Sequence, residues 1–455
     1  MTGSTARHVP LITASTIHQR NLIDRIGAAN NEDHRVGRLV RRVCGMKLRH
    51  EPFWLDRIAA RRRPSFPRLR THLDARVVIV GGGLTGAATA WSLAAARVPV
   101  VLIEAESVCS GATAGGVGLI REDVDASFAA HASLHGLRAA RLMWQAFRRA
   151  SLELPSALRR LGIRCDAARQ DLLTIASRAS DTRALRREYD ARRAAGVEAR
   201  WLAAAAVRRD AGIEAVGAIK TDATAFDPYR AGIGLIAAAV KEGAQVFERS
   251  PVARIRPGRH KVDVTTDAGS VTADLVVIAG ASSIADLRQL RRHLHPRDGY
   301  GVVTAQLAAA ARRQVGPRTT ALRAAAAADD TPRFVRWLGE DRVLVSGADQ
   351  PPVPAQLRDR AVVQRTGQLM YELSLTYPAI SGTAPEWGWS FRFDETVDGL
   401  PYIGAHRNFP RHLFALGLGR NGPAASWLAA RILLRHIRGE PAKGDDLFDF
   451  SRNLH

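Results

Sequence analysis

Residues 76 to 104 constrain this chain more than any other stretch. They read Arg-Val-Val-Ile-Val-Gly-Gly-Gly-Leu-Thr-Gly, then an alanine-rich segment to Arg97, then Val-Pro-Val-Val-Leu-Ile-Glu. The pattern predicts a strand, a glycine turn, a helix, a second strand and a terminal acid in register, the order of a dinucleotide site. Gly81 permits the tight turn out of the strand, Gly83 lets the backbone approach a pyrophosphate, and Gly86 lets the helix pack close to the strand. Leu84 and Thr85 open the helix, whose unpaired N–H groups and positive dipole end favour an anion. Glu104 ends the second strand, where a carboxylate accepts hydrogen bonds from a ribose diol.

The 455 residues suit two or three domains. Cys44, Cys109 and Cys165 are widely spaced, with no CxxC pair, which argues against a disulfide framework or a thiolate metal site and fits a reducing compartment. No apolar run reaches the roughly 18 residues of a membrane helix, and the N-terminus has no apolar signal core, so a cytoplasmic protein without a membrane span is expected. The net charge of +22 invites a nucleic-acid reading. Its distribution weakens that reading: residues 1 to 76 hold 16 basic and 6 acidic side chains, and only five lysines occur in the chain, Lys47, Lys220, Lys241, Lys261 and Lys443. Nearly all the positive charge is arginine among abundant alanine, a pattern of biased codon usage more than of a binding face, and nucleic acid is not the expected partner.

Residues 1–45 show no helical or strand periodicity. A flexible extension and a biological start at Met46 are both open; Phe53, Trp54 and Leu55 just beyond suit docking on a folded body. A helical pattern runs from Asp125 to Arg160, with Leu134, Leu137, Leu142, Trp144, Phe147, Leu152 and Leu158 as its apolar positions. A second helix spans Arg183 to Ala195, with Gly196 as its C-cap. Asp227 and Pro228 are the N-cap and first residue of a third, Tyr229 to Lys241. Short strands follow at Gln245–Phe247, Val252–Ile255, Val262–Val264 and Val271–Ala279, the last apolar enough for a buried parallel strand. Strand patterns at Gly301–Gln306, Phe334–Leu338 and Arg342–Ser346 suggest an antiparallel sheet, and the Ala/Arg-rich stretch from Leu307 to Asp330 reads as a surface excursion without chemistry.

Four segments resemble the FAD-dependent oxidoreductases of the D-amino-acid oxidase type, the family of glycine oxidase, sarcosine oxidase and γ-glutamylputrescine oxidoreductases. They are Gly81 to Glu104; Ser110-Gly-Ala-Thr-Ala-Gly-Gly-Val-Gly; Phe226-Asp-Pro through Val252 to Ala279-Gly280; and Asp394-Glu-Thr-Val-Asp-Gly-Leu-Pro-Tyr-Ile-Gly with Phe414-Ala-Leu-Gly-Leu-Gly-Arg-Asn-Gly-Pro. The likeness covers roughly residues 47 to 450. It implies an α/β fold, α+β overall: a Rossmann-like FAD-binding domain from 74–160, 216–290 and 385–440, and an antiparallel-sheet substrate domain from 161–215 and 291–384. It implies FAD contacts from Gly81, Gly83, Leu84, Thr85, Gly86, Glu104, Ser110, Gly111, Ala112, Thr113, Gly115, Val252, Ala279, Gly280, Gly417, Gly419, Arg420, Asn421 and Gly422, and no metal. Gly417, Gly419 and Gly422 make a reversal that can approach a flat ring, and Pro423 is placed to begin a helix whose N-terminus stabilises negative charge on a reduced flavin.

Two departures from the family pattern stand out. Arg420 replaces a usual small residue and reaches either the flavin's edge or solvent. Arg97 replaces a helix-ending glycine, at little cost if it is not left-handed. No histidine lies in Gly111–Gly118 and no cysteine follows Cys165, so non-covalent FAD is expected. The resemblance implies oxidation of a C–N bond in an amino acid, N-substituted amino acid or amine, with the imine hydrolysed in water. Arg392, Tyr402, Arg336 and Tyr300 fall on segments expected to face the flavin, and Arg392 suits a bidentate carboxylate clamp. Oxygen, a quinone or a carrier protein is the acceptor. Sarcosine oxidase-like relatives that react fast with oxygen place a lysine over the flavin, and none occurs here between Tyr300 and Phe393, which favours a dehydrogenase. A flavoprotein acting on modified tRNA and a redox-silent subunit of a hetero-oligomeric dehydrogenase are the alternatives.

Overall fold

Strand β1 (His72–Val80) ends in four buried residues, Val77 to Val80, because it lies at the centre of a sheet with both faces covered. The computed structural model describes residues 48–176, 179–280, 288–324 and 333–452. Residues 1–45, read above as an extension, lie outside the described residues. β1 pairs in parallel with β2 (Val100–Ile103) and with β10 (Ser270–Ile278). β7 (Gln245–Phe247) adds in parallel to β2, and β17 (Phe409–Leu416) in parallel to β10. β16 (Tyr402–His406) closes one edge antiparallel, and the hairpin β8 (Val252–Pro257) and β9 (Val262–Thr266) joins through β10. The expected apolar strand before Gly280 is β10, buried and parallel as its composition required.

A second sheet has the order β15-β11-β14-β13-β12-β4-β6-β3, with β5 (Arg200–Ala203) on β6. Its strands are β3 (Leu119–Arg121), β4 (Ala168–Ala176), β6 (Gly217–Ala225), β11 (His295–Thr304), β12 (Thr320–Ala324), β13 (Arg333–Leu338), β14 (Arg342–Gln350) and β15 (Pro385–Glu395). The pairing is antiparallel except between β12 and β4. β3, β6 and β15 lie in this sheet, on spans that the resemblance assigns to the FAD-binding domain.

Several local expectations meet the structure directly. Asp227 caps helix Pro228–Lys241 by accepting from Arg230 N–H at 3.0 Å. Phe53, Trp54 and Leu55 are buried on a short helix, Phe53–Asp56. Others need correction. The helical pattern from Asp125 breaks at Gly136 (φ +80°) into Phe128–His135 and Leu137–Arg160, and Leu137 and Leu152 are exposed at 49% and 61%. The stretch after Leu307 is not merely a surface excursion: it contributes helix Ala309–Gln314 and the interior strand β12. Arg97 is left-handed at φ +62°, closing helix Leu84–Ala95 with Val98 N–H on Leu93 C=O, so it carries the strain of about 1–2 kcal/mol that a glycine would avoid. Among the described residues no helix is long and apolar enough to cross a membrane.

Candidate active site

Helix Leu84–Ala95 is buried on every side because it is wedged between the first sheet and helices Pro228–Lys241 and Gly422–Arg438. Gly86 makes that wedge possible: a Cβ there would lie 1.9 Å from the Gly81 carbonyl oxygen. Gly81 itself has φ +108°, and a Cβ on it would meet Ala279 O at 2.6 Å, which sets Ala279 and Gly280 beside the turn. Gly83 differs. The nearest atom to a Cβ there is Thr113 Oγ1 at 3.4 Å, so the protein leaves space in front of it. Thr113 accepts from Leu84 N–H at 2.9 Å and brings the Ser110–Gly118 loop, which holds one helical turn, Ala112–Gly115, against the helix start. Ser110 turns its hydroxyl back to Ser107 O, at 2.8 Å. Glu104 accepts from Gly82 N–H at 2.6 Å and Glu106 N–H at 2.9 Å, and its backbone bonds to Phe247 and Ser250, two residues before Val252.

The second glycine turn reaches the same place from the other end of the chain. Thr85 Oγ1 lies 2.9 Å from Ser426 Oγ, and Trp91 stacks on Trp427 with centroids 5.4 Å apart, so the two helix starts are neighbours. Gly417 and Gly419 are left-handed, at φ +66° and +61°; Cβ atoms would strike Thr396 and the Asp125 carboxylate. Nothing lies within 4 Å of a Cβ on Gly111, Gly280 or Gly422. Cradles that side chains could fill but do not, beside helix N-termini, fit a dinucleotide with a pyrophosphate. No group of three or more metal-ligating side chains occurs among the described residues.

A network of arginines and aspartates ties this turn to the second sheet. Arg121 is 1% exposed and donates to Asp123 at 2.8 Å and Asp125 at 2.7 Å. Arg323 donates to Asp123 at 2.6 Å and to Asp125 O at 2.9 Å. Asp125 accepts from Arg420 N–H at 2.5 Å. Arg420 points neither to solvent nor outward: its side chain is 5% exposed, forks onto Asp349, donates to Ser346 at 3.1 Å and lies over Phe391 and Phe393. Asn421 donates to Arg121 O at 3.1 Å and to Asp123 O, and its Oδ1 is buried without a partner. Burial opposes ionisation of Asp123, but Arg121 and Arg323 outweigh it and hold its carboxyl below the usual range.

The four substrate-side candidates do not converge. Strand parity explains Arg392 and Tyr300: Phe391 packs on Gly115, and Trp389 donates to Gly115 O at 3.1 Å, so Arg392 points to the opposite face. There it holds Asp298 through both nitrogens, at 2.9 and 3.2 Å. Tyr300 shares that face, accepting from Gln350 at 2.6 Å beneath helix Arg358–Thr376. Arg336 faces the junction, but its Nη1 donates to Val117 O, Gly118 O and Phe226 O, Trp54 covers it, and burial pushes it down to about 10. Tyr402 sits on the edge strand of the first sheet, stacked on Phe450 at 4.9 Å with Arg452 over its ring at 3.7 Å. Asp398, of the same motif, is a buried tie to Arg452 at 2.9 and 3.0 Å.

Sequence reasoning missed the roles of Arg121, Asp123, Asp125, Arg323 and Asp349, and read Trp54 only as a docking residue. The alternation Arg121-Glu-Asp123-Val-Asp125 at a strand end was a signal, hidden in a chain with 66 basic residues. Next to it lies a cleft of about 90 Å³ lined by Glu122, Asp123, Trp144, Arg148, Arg192 and Thr221, among others. Burial raises Glu122 to about 7 against the pull of Arg148.

Comparison with known proteins agrees with this geometry. The family model described as DAO, FAD dependent oxidoreductase, matches residues 76–435. The chain is 24% identical over 392 residues to γ-glutamylputrescine oxidoreductase of Escherichia coli, covering 85% of this chain and 89% of that one. It is 26% identical over 395 residues to glycine oxidase of Geobacillus kaustophilus, covering 83% and 97%. A crystal structure of glycine oxidase from that organism superposes with a TM-score of 0.70 at 22% identity, over 84% of this chain and all of that one, and shares the fold.

Proposed function

This chain belongs to the FAD-dependent oxidoreductase family, and on that premise we propose that it oxidises a C–N bond in an amino acid, an N-substituted amino acid or an amine. The observation that carries the reading is the meeting of two glycine turns through Thr85 and Ser426, with the Ser110–Gly118 loop against them. The names of the relatives, a glycine oxidase and a γ-glutamylputrescine oxidoreductase, support such a donor. FAD, when bound, would supply the two-electron acceptor for a hydride from the carbon beside nitrogen; the N–H proton would pass to water, and water would hydrolyse the resulting C=N bond.

The chain's part is binding and orientation. Gly83, Thr85 and Gly86 would offer backbone and helix dipole to the pyrophosphate, while Gly81 N–H is held by Ile103 O and Leu84 N–H by Thr113. Glu104 offers a carboxylate to the ribose, with Val252, Ala279 and Gly280 on the adenosine side. Ser110, Gly111, Ala112, Thr113 and Gly115 on the loop and Gly417, Gly419, Arg420, Asn421 and Gly422 at the C-terminal turn are the residues that would hold the flavin. Cys109 and Cys165 are buried, and burial raises both thiols, Cys165 to about 11, which favours a non-covalent cofactor. Without a lysine between Tyr300 and Phe393, a quinone or carrier protein is favoured over oxygen as acceptor.

The test is an absorbance spectrum of the purified protein, release of FAD on acid precipitation, and an anaerobic screen of amino acids, N-methyl amino acids and amines for bleaching of the flavin band. Release of FAD without bleaching by any of these donors would leave the C–N reading without support. Slow reoxidation in air beside rapid turnover on an artificial quinone is the expected acceptor result; fast reoxidation by oxygen overturns it.

A further inference from the structure

We propose that Arg336 and Trp54 are positioning residues for the flavin: they anchor the carbonyl groups of the Ser110–Gly118 loop and so turn its last amide N–H groups toward the cofactor. This rests on the cofactor placement above and is independent of the donor. The anchors come from distant parts of the chain. Trp389 on β15 donates to Gly115 O at 3.1 Å, Trp54 to Gly116 O at 2.8 Å, and Arg336 on β13 to Val117 O at 3.1 Å and Gly118 O at 2.6 Å. All three side chains are buried, and they hold four consecutive carbonyl groups. The fit requires glycine: at Gly118 (φ +71°) a Cβ would lie 2.3 Å from Arg336 Nη1.

A trans peptide sends its N–H opposite to its C=O. The Gly116 carbonyl on Trp54 therefore aims Val117 N–H away from that indole, and the Val117 carbonyl on Arg336 aims Gly118 N–H away from the guanidinium. Among the described residues neither N–H has an acceptor, although Val117 and Gly118 are buried. Buried N–H groups left open by the protein suit acceptor atoms of a ligand, and the edge of a flavin carries a ring nitrogen and carbonyl oxygens. Arg336 adds charge to this arrangement. Its Nε has no acceptor and no carboxylate pairs with it among the described residues; Asp227 and Asp166 act on it only from a distance, and Arg57 opposes them. The cation thus polarises the Val117 peptide and favours negative charge on whatever its N–H meets, as on a reduced flavin. Trp54 is held in turn by the second sheet: Arg49 N–H donates to Glu386 O at 3.0 Å, Trp387 donates to Asp56 at 2.8 Å, and Phe53 sits edge-on to Trp387 at 5.1 Å. Residues 49–56, ahead of the dinucleotide unit, are thereby part of the flavin site.

The experiment measures the midpoint potential of the FAD-loaded protein by anaerobic photoreduction against a reference dye, which needs no substrate. Arg336→Gln keeps an amide donor and removes the charge; at a fixed potential its ratio of reduced to oxidised flavin is expected to fall at least about tenfold, a drop of about 30 mV for a two-electron couple. Arg336→Lys keeps the charge and is expected to stay within about threefold of wild type. An unmoved potential in Arg336→Gln, or an equal fall in Arg336→Lys, overturns the role given to Arg336. Trp54→Phe keeps a ring and loses the donor, and its apoprotein is expected to bind FAD about fivefold more weakly in a fluorescence titration; unchanged affinity overturns the role given to Trp54. Should Arg336→Gln not fold, Arg336→Met carries the same test, and Trp54→Phe decides without either. A protein that takes up no FAD overturns the cofactor placement and this proposal together. If the Arg336 variants shift the potential as expected while no amine or amino acid bleaches the flavin, the proposal stands and only the C–N reading falls.

Discussion

The turn at Gly81–Gly86 is shaped mainly by its own strand–helix–strand unit: Gly86 against the Gly81 carbonyl, Gly82 N–H on Glu104, and Leu84 N–H on the nearby Thr113. The turn at Gly417–Gly422 is shaped by residues from far along the chain. Asp125 accepts its N–H groups, Thr396 packs against Gly417, and Asp349 on β14 holds the Arg420 side chain. The first turn depends on short-range sterics, which glycines alone satisfy. The second depends on buried charge, which stays put only while every partner is present. The two should therefore fail differently.

The largest expected effect is at Asp123, which neutralises both Arg121 and Arg323 in the interior. Asp123→Ala leaves two buried guanidinium groups short of a partner and should cost about 3–5 kcal/mol. Denaturant melts of the purified variant measure this, and a cost under about 1 kcal/mol would mean that the network contributes little to holding the C-terminal turn. At the other turn, Gly86→Ala drives a Cβ to 1.9 Å from a backbone oxygen and should cost about 1–3 kcal/mol. Gly83→Ala meets nothing closer than 3.4 Å, so its apoprotein should melt close to wild type while its FAD content collapses. Equal FAD occupancy in Gly83→Ala and wild type breaks the assignment of that turn to the pyrophosphate.

Glu122 tests the edge of the charged network by pH. Its folded value is raised from 4.5 to about 7 by burial, so the folded state holds a proton that the unfolded state has lost between those values. The associated stability is fully present below pH 4.5 and is lost as pH rises through about 7. Glu122→Gln should therefore raise stability at pH 8, by on the order of 2 kcal/mol after allowing for Arg148, and change little at pH 4. An equal gain at both pH values would point to packing instead of ionisation. The smallest effect belongs to the first turn's own helix: Arg97→Gly should stabilise by about 1 kcal/mol by relieving the left-handed backbone, read as a rise in melting temperature.

Legibility followed range. Helix Pro228–Lys241, its Asp227 cap and the apolar strand β10 were readable because caps, glycines and runs of valine act on their immediate neighbours. Arg97 looked harmless because its handedness is set by the Val98 return bond to Leu93, which composition does not display. Arg392 and Tyr300 fell outside the strands that periodicity marked, and which face of β15 and β11 they occupy is set by pairing register, since a one-residue difference in parity reverses every side chain. The stretch after Leu307 looked featureless because β12 gains its order from pairing with β4 and β13.

By itself the sequence determined the glycine turn and its helix, because glycine sterics and hydrophobic periodicity are local and survive without knowledge of partners, and the family through the likeness of four motif segments. Tertiary structure alone decided what Arg420 does. Nothing near it in the chain foretells Asp349, Ser346, Phe391 and Phe393, and the properties of a buried charge are set by the groups that surround it in space.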